Sequence, residues 1–111
     1  MKKIVIAILL FLSFNIFAAG VANTFTVGFV RVDKSGKGYV QFTEALTGTR
    51  PACSKSNYSS ALAFDTTSEG GKSILSVAFM AKATGSTLYV VGTNTCDVYG
   101  VMEDWSYGRV E

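Results

Sequence analysis

The stretch that decides the fold is residues 68–85, SEGGKSILSVAFMAKATG. When its residues are placed at 100° intervals, the apolar side chains collect on one side and the polar side chains on the other, which is the pattern of an amphipathic helix. The apolar side consists of Ile74, Leu75, Val77, Ala78 and Ala81, and the polar side of Lys72, Ser73, Ser76 and Thr84.

Both ends of this predicted helix carry suitable residues. Ser68 can cap the free N–H groups of the first turn, and Glu69 lies at the positive end of the helix dipole. Lys82 lies in the last turn, and Gly85 can adopt the left-handed conformation that ends a helix. A helix of about four turns is not stable alone in water, so we expect its apolar side to pack against a sheet.

The first segment of the sequence has the three parts of a secretory signal peptide. Lys2 and Lys3 form a positive region, residues 4–17 are almost entirely apolar, and small residues follow. We therefore predict a signal peptide over residues 1–20 and a single β-rich domain over residues 21–111. A membrane anchor is disfavoured because the apolar run is shorter than the roughly 20 residues that a span needs.

The position of the cleavage is read from small residues at the last and third-last places of the signal. Cleavage after Gly20 or Ala22 satisfies this pattern, whereas cleavage after Ala19 would put Phe17 at the third-last place. We therefore expect the exported chain to begin after one of these two residues.

The charge balance changes when the signal is removed. The sequence has ten Lys plus Arg and eight Asp plus Glu, and two of the lysines lie in the signal. The remaining chain has eight of each and a formal charge of zero. Charge therefore gives no reason to expect nucleic acid or a membrane surface as a partner.

The sequence contains two cysteines, Cys53 and Cys96, and no histidine. In an exported chain we expect the two cysteines to form a disulfide. The loop closed would be about 44 residues long, and its closure is worth roughly 4 kcal/mol of stability. Without histidine or a CxxC motif, we predict no metal site, no Cys/His nucleophile and no cofactor.

The rest of the chain alternates between strand-like segments and turns. The six predicted strands cover residues 24–32, 39–46, 58–65, 86–93, 96–101 and 105–110. The predicted order is three strands, the helix and three strands. The predicted fold is mostly β with one helix, a small antiparallel β-barrel or rolled sheet of OB-like type.

Two fragments resemble catalytic motifs but lack necessary parts. Gly71, Lys72 and Ser73 resemble the end of a phosphate-binding loop, but Thr66 occupies the place of its first glycine. The neighbouring carboxylates of Glu103 and Asp104 would point apart in a strand or turn, which makes a poor acid and base pair. We predict no catalytic residue and no enzymatic activity.

The last predicted strands carry the candidate binding residues. Trp105, Tyr107 and Arg109 alternate along one strand, and Tyr99 would lie opposite them in a hairpin. Such aromatic pairs also occur as simple cross-strand packing. The alternative is a binding surface, because Tyr, Trp and Arg are enriched at interfaces and flat rings stack on sugars.

The sequence also resembles known proteins. Residues 71–110, with an alanine-rich helix followed by GTNTC and DVYG, resemble a group of small, largely uncharacterised exported bacterial proteins with one disulfide. The predicted strand order is similar to that of the B subunits of bacterial AB5 toxins. That resemblance implies an OB-fold barrel, a pentameric ring and binding of cell-surface glycans.

We therefore expect a bacterial binding module in the periplasm or outside the cell. It would recognise a glycan or a protein through surface aromatics, have no membrane contact after signal cleavage, and form a homo-oligomer. The alternative is a periplasmic inhibitor of a secreted or cell-wall hydrolase.

Overall fold

The computed structural model describes residues 19–111. It contains seven strands: β1 (Gly20–Phe25), β2 (Val27–Val32), β3 (Lys37–Phe42), β4 (Thr47–Gly48), β5 (Ala61–Asp65), β6 (Leu88–Gly92) and β7 (Trp105–Val110). The helix α1 (Glu69–Thr84) follows β5, and a short 3-10 helix covers Ser56–Tyr58. Most of the predicted signal peptide lies outside the described residues.

The strands form two antiparallel sheets. One sheet has the order β4-β1-β6-β7 and the other the order β2-β3-β5. An isolated parallel bridge between Ala63 of β5 and Asp104, just before β7, connects the two sheets. The protein is therefore mostly β with one helix, as predicted.

The helix lies where the apolar pattern requires it. Ala78 and Ala81 are buried in the main core, with Ile74, Leu75 and Val77 packed against that core. The main core also takes side chains from both sheets, among them Ala22, Phe25, Val40, Phe42, Leu62, Phe64, Leu88, Val90 and Trp105. One side of α1 therefore covers the apolar interior that the two sheets share.

The ends of α1 also match the prediction. The Ser68 hydroxyl accepts a hydrogen bond from the Gly71 N–H at 3.0 Å. Gly85 has φ 71° and donates its N–H to the Ala81 carbonyl. The cap residue and the left-handed glycine thus satisfy backbone groups that the helix itself leaves unpaired.

The strand order differs from the predicted one. The predicted strand over residues 24–32 is two strands, because the pairing shifts around Thr24, which has φ 63°, and breaks at Thr26. The short β4 lies outside the six predicted strands, between the second and the third. The order along the chain is therefore five strands, the helix and two strands.

The predicted strand over residues 96–101 is wrong, because this segment forms a turn. The Asp104 carboxylate accepts the N–H groups of Asp97 at 2.9 Å and Val98 at 3.2 Å. Gly100 has φ 81° and donates its N–H to the Cys96 carbonyl at 2.9 Å. These bonds fold the segment back on itself, so β7 pairs with β6 and the predicted last hairpin does not form.

The predicted disulfide is present between Cys53 and Cys96, 43 positions apart in the chain. It connects the loop before β5 to the turn that follows β6. These two segments enclose β5, α1 and β6 in the sequence, so the bridge holds together the parts of the chain on either side of the helix.

Candidate functional site

The candidate site lies on β7, which forms one edge of the four-stranded sheet. Its register with β6 pairs Val91 with Tyr107 but Gly92 with Trp105, so β7 contains one extra residue at Ser106. An extra residue of this kind forms a β-bulge, which changes the direction in which the next side chains point.

The bulge separates residues that the sequence placed on one face. Trp105 is only 6% exposed and belongs to the main core, whereas Tyr107 is 58% exposed. The expectation that Trp105, Tyr107 and Arg109 form one exposed row is therefore wrong for Trp105. The simple alternation of a strand does not hold across an inserted residue.

Tyr107 lies between two hollows of the surface and lines both. The first, of about 250 Å³, lies against α1, and Ser73, Ile74 and Trp105 are among the residues that line it. The second, of about 440 Å³, includes Thr93 and Asn94 at the end of β6. Ser106 also lines both hollows. An exposed ring thus has a few hydroxyl and amide groups beside it, while the walls of both hollows are mainly apolar.

Arg109 lies further along the same strand. Its guanidinium carbon is 4.8 Å from the centre of the Tyr89 ring, within the range of a cation–π contact. It also forms an ion pair with Glu111 at 3.0 Å. Tyr89 is opposite Arg109 in the register of β6 and β7. Tyr89 is not among the candidate residues predicted from the sequence, although it belongs to the predicted strand over residues 86–93.

Tyr99 lies at a different place, against the three-stranded sheet. Its ring is 6.1 Å from that of Tyr39 in an edge-to-face arrangement, and Tyr39 makes the same kind of contact with Phe29 and Tyr58. Together with Ala61, Ala63 and Met102, these tyrosines form a second apolar cluster. The structure therefore does not bring Tyr99 next to Tyr107.

A carboxylate completes this aromatic cluster. The Tyr99 hydroxyl donates a short hydrogen bond to Asp33, which also pairs with Arg31 at 2.7 Å. The Tyr99 hydrogen bond, followed by the Arg31 contact, lowers the pKa of Asp33. Burial, followed by the hydrogen bond to Asp33, raises the pKa of Tyr99. The contacts of Asp33 link two distant parts of the sequence.

The neighbouring carboxylates Glu103 and Asp104 are both buried and face different backbone segments. Glu103 accepts the N–H of Asn94 at 2.8 Å and that of Gly20 at 3.0 Å, while Asp104 accepts from the turn that begins at Asp97. Burial raises the pKa of both groups. The two carboxylates thus hold separate loops in place.

Within residues 19–111, no group of three or more Cys, Asp or Glu side chains is arranged to hold a metal ion. The one α-helix in this range is too short and too polar to cross a membrane. No family model, curated protein or solved structure matches the chain.

Proposed function

We propose that this chain is an exported, non-enzymatic binding module that recognises a glycan through Tyr107. The observation that carries the proposal is the position of Tyr107, an exposed ring between two hollows that it lines together with Ser106. Aromatic rings stack on the apolar faces of sugars, and hydroxyl and amide groups bind the sugar hydroxyls.

The second hollow is the better match for a sugar ring. Its volume is about 440 Å³ with Ala19 as part of the wall, which lies in the range of small-molecule sites. Signal cleavage removes Ala19 and leaves Thr93, Asn94 and Ser106 as polar groups around Tyr107. Arg109 and Tyr89 extend this surface along the two strands. A second sugar residue would meet these side chains.

The proposal is tested on a glycan array with the exported protein and its Tyr107→Ala variant. The stacking contact contributes about 0.5–1.5 kcal/mol on the scale of aromatic contacts, so Tyr107→Ala should weaken binding roughly two- to tenfold. Phe29→Ala is the matched control, because Phe29 is a 45% exposed aromatic on the other sheet. Equal loss in both variants, or binding unchanged by Tyr107→Ala, would contradict the proposal.

The alternative is an inhibitor of a secreted or cell-wall hydrolase. Such an inhibitor would show no glycan signal and would inhibit a purified hydrolase in a dose-dependent manner. Inhibition that persists in Tyr107→Ala, without any glycan binding, would favour this alternative over the glycan-binding module.

We also propose that the two sheets curl into an OB-like barrel, as the similarity to the toxin B subunits implies. The supporting observations are that β1 continues into β2 across the two sheets and that Ala63 donates its N–H to the Glu103 carbonyl at 2.9 Å. Cross-strand NMR contacts between β5 and β7 beyond Ala63 and Asp104 would support closure of the barrel. An open gap there would contradict it.

A homo-oligomer is part of the same proposal. On the outer side of α1, the side chains of Phe79 and Met80 are 67% and 59% exposed to solvent. This is a large apolar surface for a helix in contact with water. Native mass measurement of the exported protein should show a defined oligomer. Phe79→Lys should shift it to the monomer, whereas Asn57→Lys, a control on an exposed polar residue of the 3-10 helix, should not.

A further inference from the structure

The carboxylate of Glu103 is a buried charge for which no ion pair is seen among residues 19–111. Its side chain is completely buried, and the three ion pairs of this part of the chain involve other residues. Placing a charged carboxylate in the interior is costly unless an opposite charge or several hydrogen bonds compensate it. Glu103 therefore needs a strong partner.

Two backbone nitrogens compensate the charge: the Asn94 N–H donates to Oε2 at 2.8 Å, and the other partner is the nitrogen of Gly20. This nitrogen lies 3.0 Å from Oε1 and 3.2 Å from Oε2 of Glu103, so it faces both oxygens of the carboxylate. As a peptide nitrogen it has a single hydrogen to share between them. An ammonium group at the same place would have three hydrogens and a positive charge.

The Glu103 carboxylate packs directly against two glycines, Gly20 and Gly92, where any side chain would take its place. A Cβ atom at Gly20 would lie 2.7 Å from Oε1, and a Cβ atom at Gly92 would also collide with the carboxylate. The other charged groups that act on Glu103 are Asp104, which raises its pKa, and Arg50, which lowers it. The site thus fits a carboxylate and a glycine nitrogen closely.

We propose that the peptide bond between Ala19 and Gly20 is the export cleavage site, and that the α-ammonium group of Gly20 forms a buried ion pair with Glu103. A signal peptidase catalyses the hydrolysis by water. The Ala19 carbonyl carbon takes the hydroxyl and leaves as a carboxylate, while the Gly20 nitrogen takes a proton and becomes an ammonium at neutral pH. The inference rests on the proposed export of the chain.

The alternative cleavages would remove this partner. Cleavage after Gly20 takes away the nitrogen that faces Glu103. Cleavage after Ala22 also removes Ala22 itself, which is fully buried in the core, and the pairings of Val21 with β4 and β6. The side-chain pattern of the signal favours these two positions, but the folded chain uses Gly20, Val21 and Ala22 as the first half of β1.

The first test is the intact mass and the N-terminal sequence of the full chain after export from a bacterial host. The expected product begins at Gly20. A product that begins at any other residue would overturn the inference while leaving export intact. A product with the mass of the uncleaved chain would contradict export itself, so the two failures are distinguishable.

The second test measures the ion pair without relying on export. Two chains are prepared by cleavage of a fusion protein, one that begins at Gly20 and one that begins at Ala19. The Gly20 chain should have an unfolding equilibrium constant about tenfold smaller at pH 7, which corresponds to about one pKa unit of interaction. Glu103→Gln should abolish this difference, whereas Glu111→Gln, a change to an exposed carboxylate, should keep it.

A direct measurement covers the case in which Glu103→Gln does not fold. The pKa of Glu103 can be followed by NMR of its carboxyl carbon in the two chains. It should be lower in the Gly20 chain, because the adjacent ammonium favours the charged carboxylate. Equal pKa values in the two chains would overturn the inference.

Discussion

At the scale of single residues, the contact between Tyr99 and Asp33 has a measurable electrostatic effect. The hydrogen bond from Tyr99 is the largest of the interactions that lower the pKa of Asp33. In the Tyr99→Phe variant the pKa of Asp33 should therefore rise toward its ordinary value of 3.8. The measurement is an NMR titration of the Asp33 carboxyl carbon, and a pKa unchanged by the substitution would contradict the contact.

The same contact has a consequence for stability at acid pH. Because folding lowers the pKa of Asp33, this group stabilises the fold above its unfolded pKa, and that stabilisation is lost as the pH falls through the folded pKa. Tyr99→Phe should thus lose less stability than the wild type on acidification below about pH 4. Tyr58→Phe is the control, because Tyr58 belongs to the same cluster and Asp33 takes its hydrogen bonds from Tyr99 and Arg31.

At the scale of elements, α1 depends on its N-cap as well as on its apolar side. The Ser68 hydroxyl accepts from Gly71 and donates to the Asp65 carbonyl at 2.9 Å, which joins the end of β5 to the start of the helix. Ser68→Ala should lower the free energy of unfolding by about 1 kcal/mol, because the Gly71 N–H loses its partner. Urea unfolding followed by circular dichroism measures this change.

The matched control is Ser76→Ala, the same substitution in the middle of α1. Ser76 is exposed and its hydroxyl donates back to the Lys72 carbonyl at 3.2 Å. Since alanine is the better helix former, we expect a change within about 0.5 kcal/mol. If both substitutions destabilised the protein equally, the cap would have no special role.

At the scale of the whole molecule, the disulfide restrains the unfolded chain. The bridge from Cys53 to Cys96 closes a loop with a sequence separation of 43, and loop-closure entropy makes this worth about 4 kcal/mol. That is a large share of the roughly 5–15 kcal/mol that holds a typical small domain together. The double variant Cys53→Ser and Cys96→Ser should unfold at a much lower urea concentration.

The same comparison can be made on the unmodified protein with and without reductant. Reduced wild type and the double variant should unfold at similar urea concentrations, because both lack the same restraint. A midpoint that does not change on reduction would show that the loop-closure argument fails for this chain.

The sequence predicted much of the fold because the signals are local. The apolar period of 3.6, the cap at Ser68 and the glycine at position 85 lie within a few residues of the groups that they serve. The cysteine pairing followed from there being only two. The candidate site was predicted only in part: Tyr107 and Arg109 are exposed on β7, whereas Trp105 is buried by the bulge and Tyr99 lies against the other sheet.

The sequence by itself thus determined a mostly β chain with one amphipathic helix and one disulfide, because helix periodicity, capping and cysteine count need no knowledge of distant contacts. Only the tertiary structure decided that residues 96–101 turn instead of forming a strand, that the edge strand bulges at Ser106, and that Glu103 faces the nitrogen of Gly20. Each of these depends on a buried carboxylate or a strand register that joins residues far apart in the chain, and such long-range partners are not encoded in local periodicity.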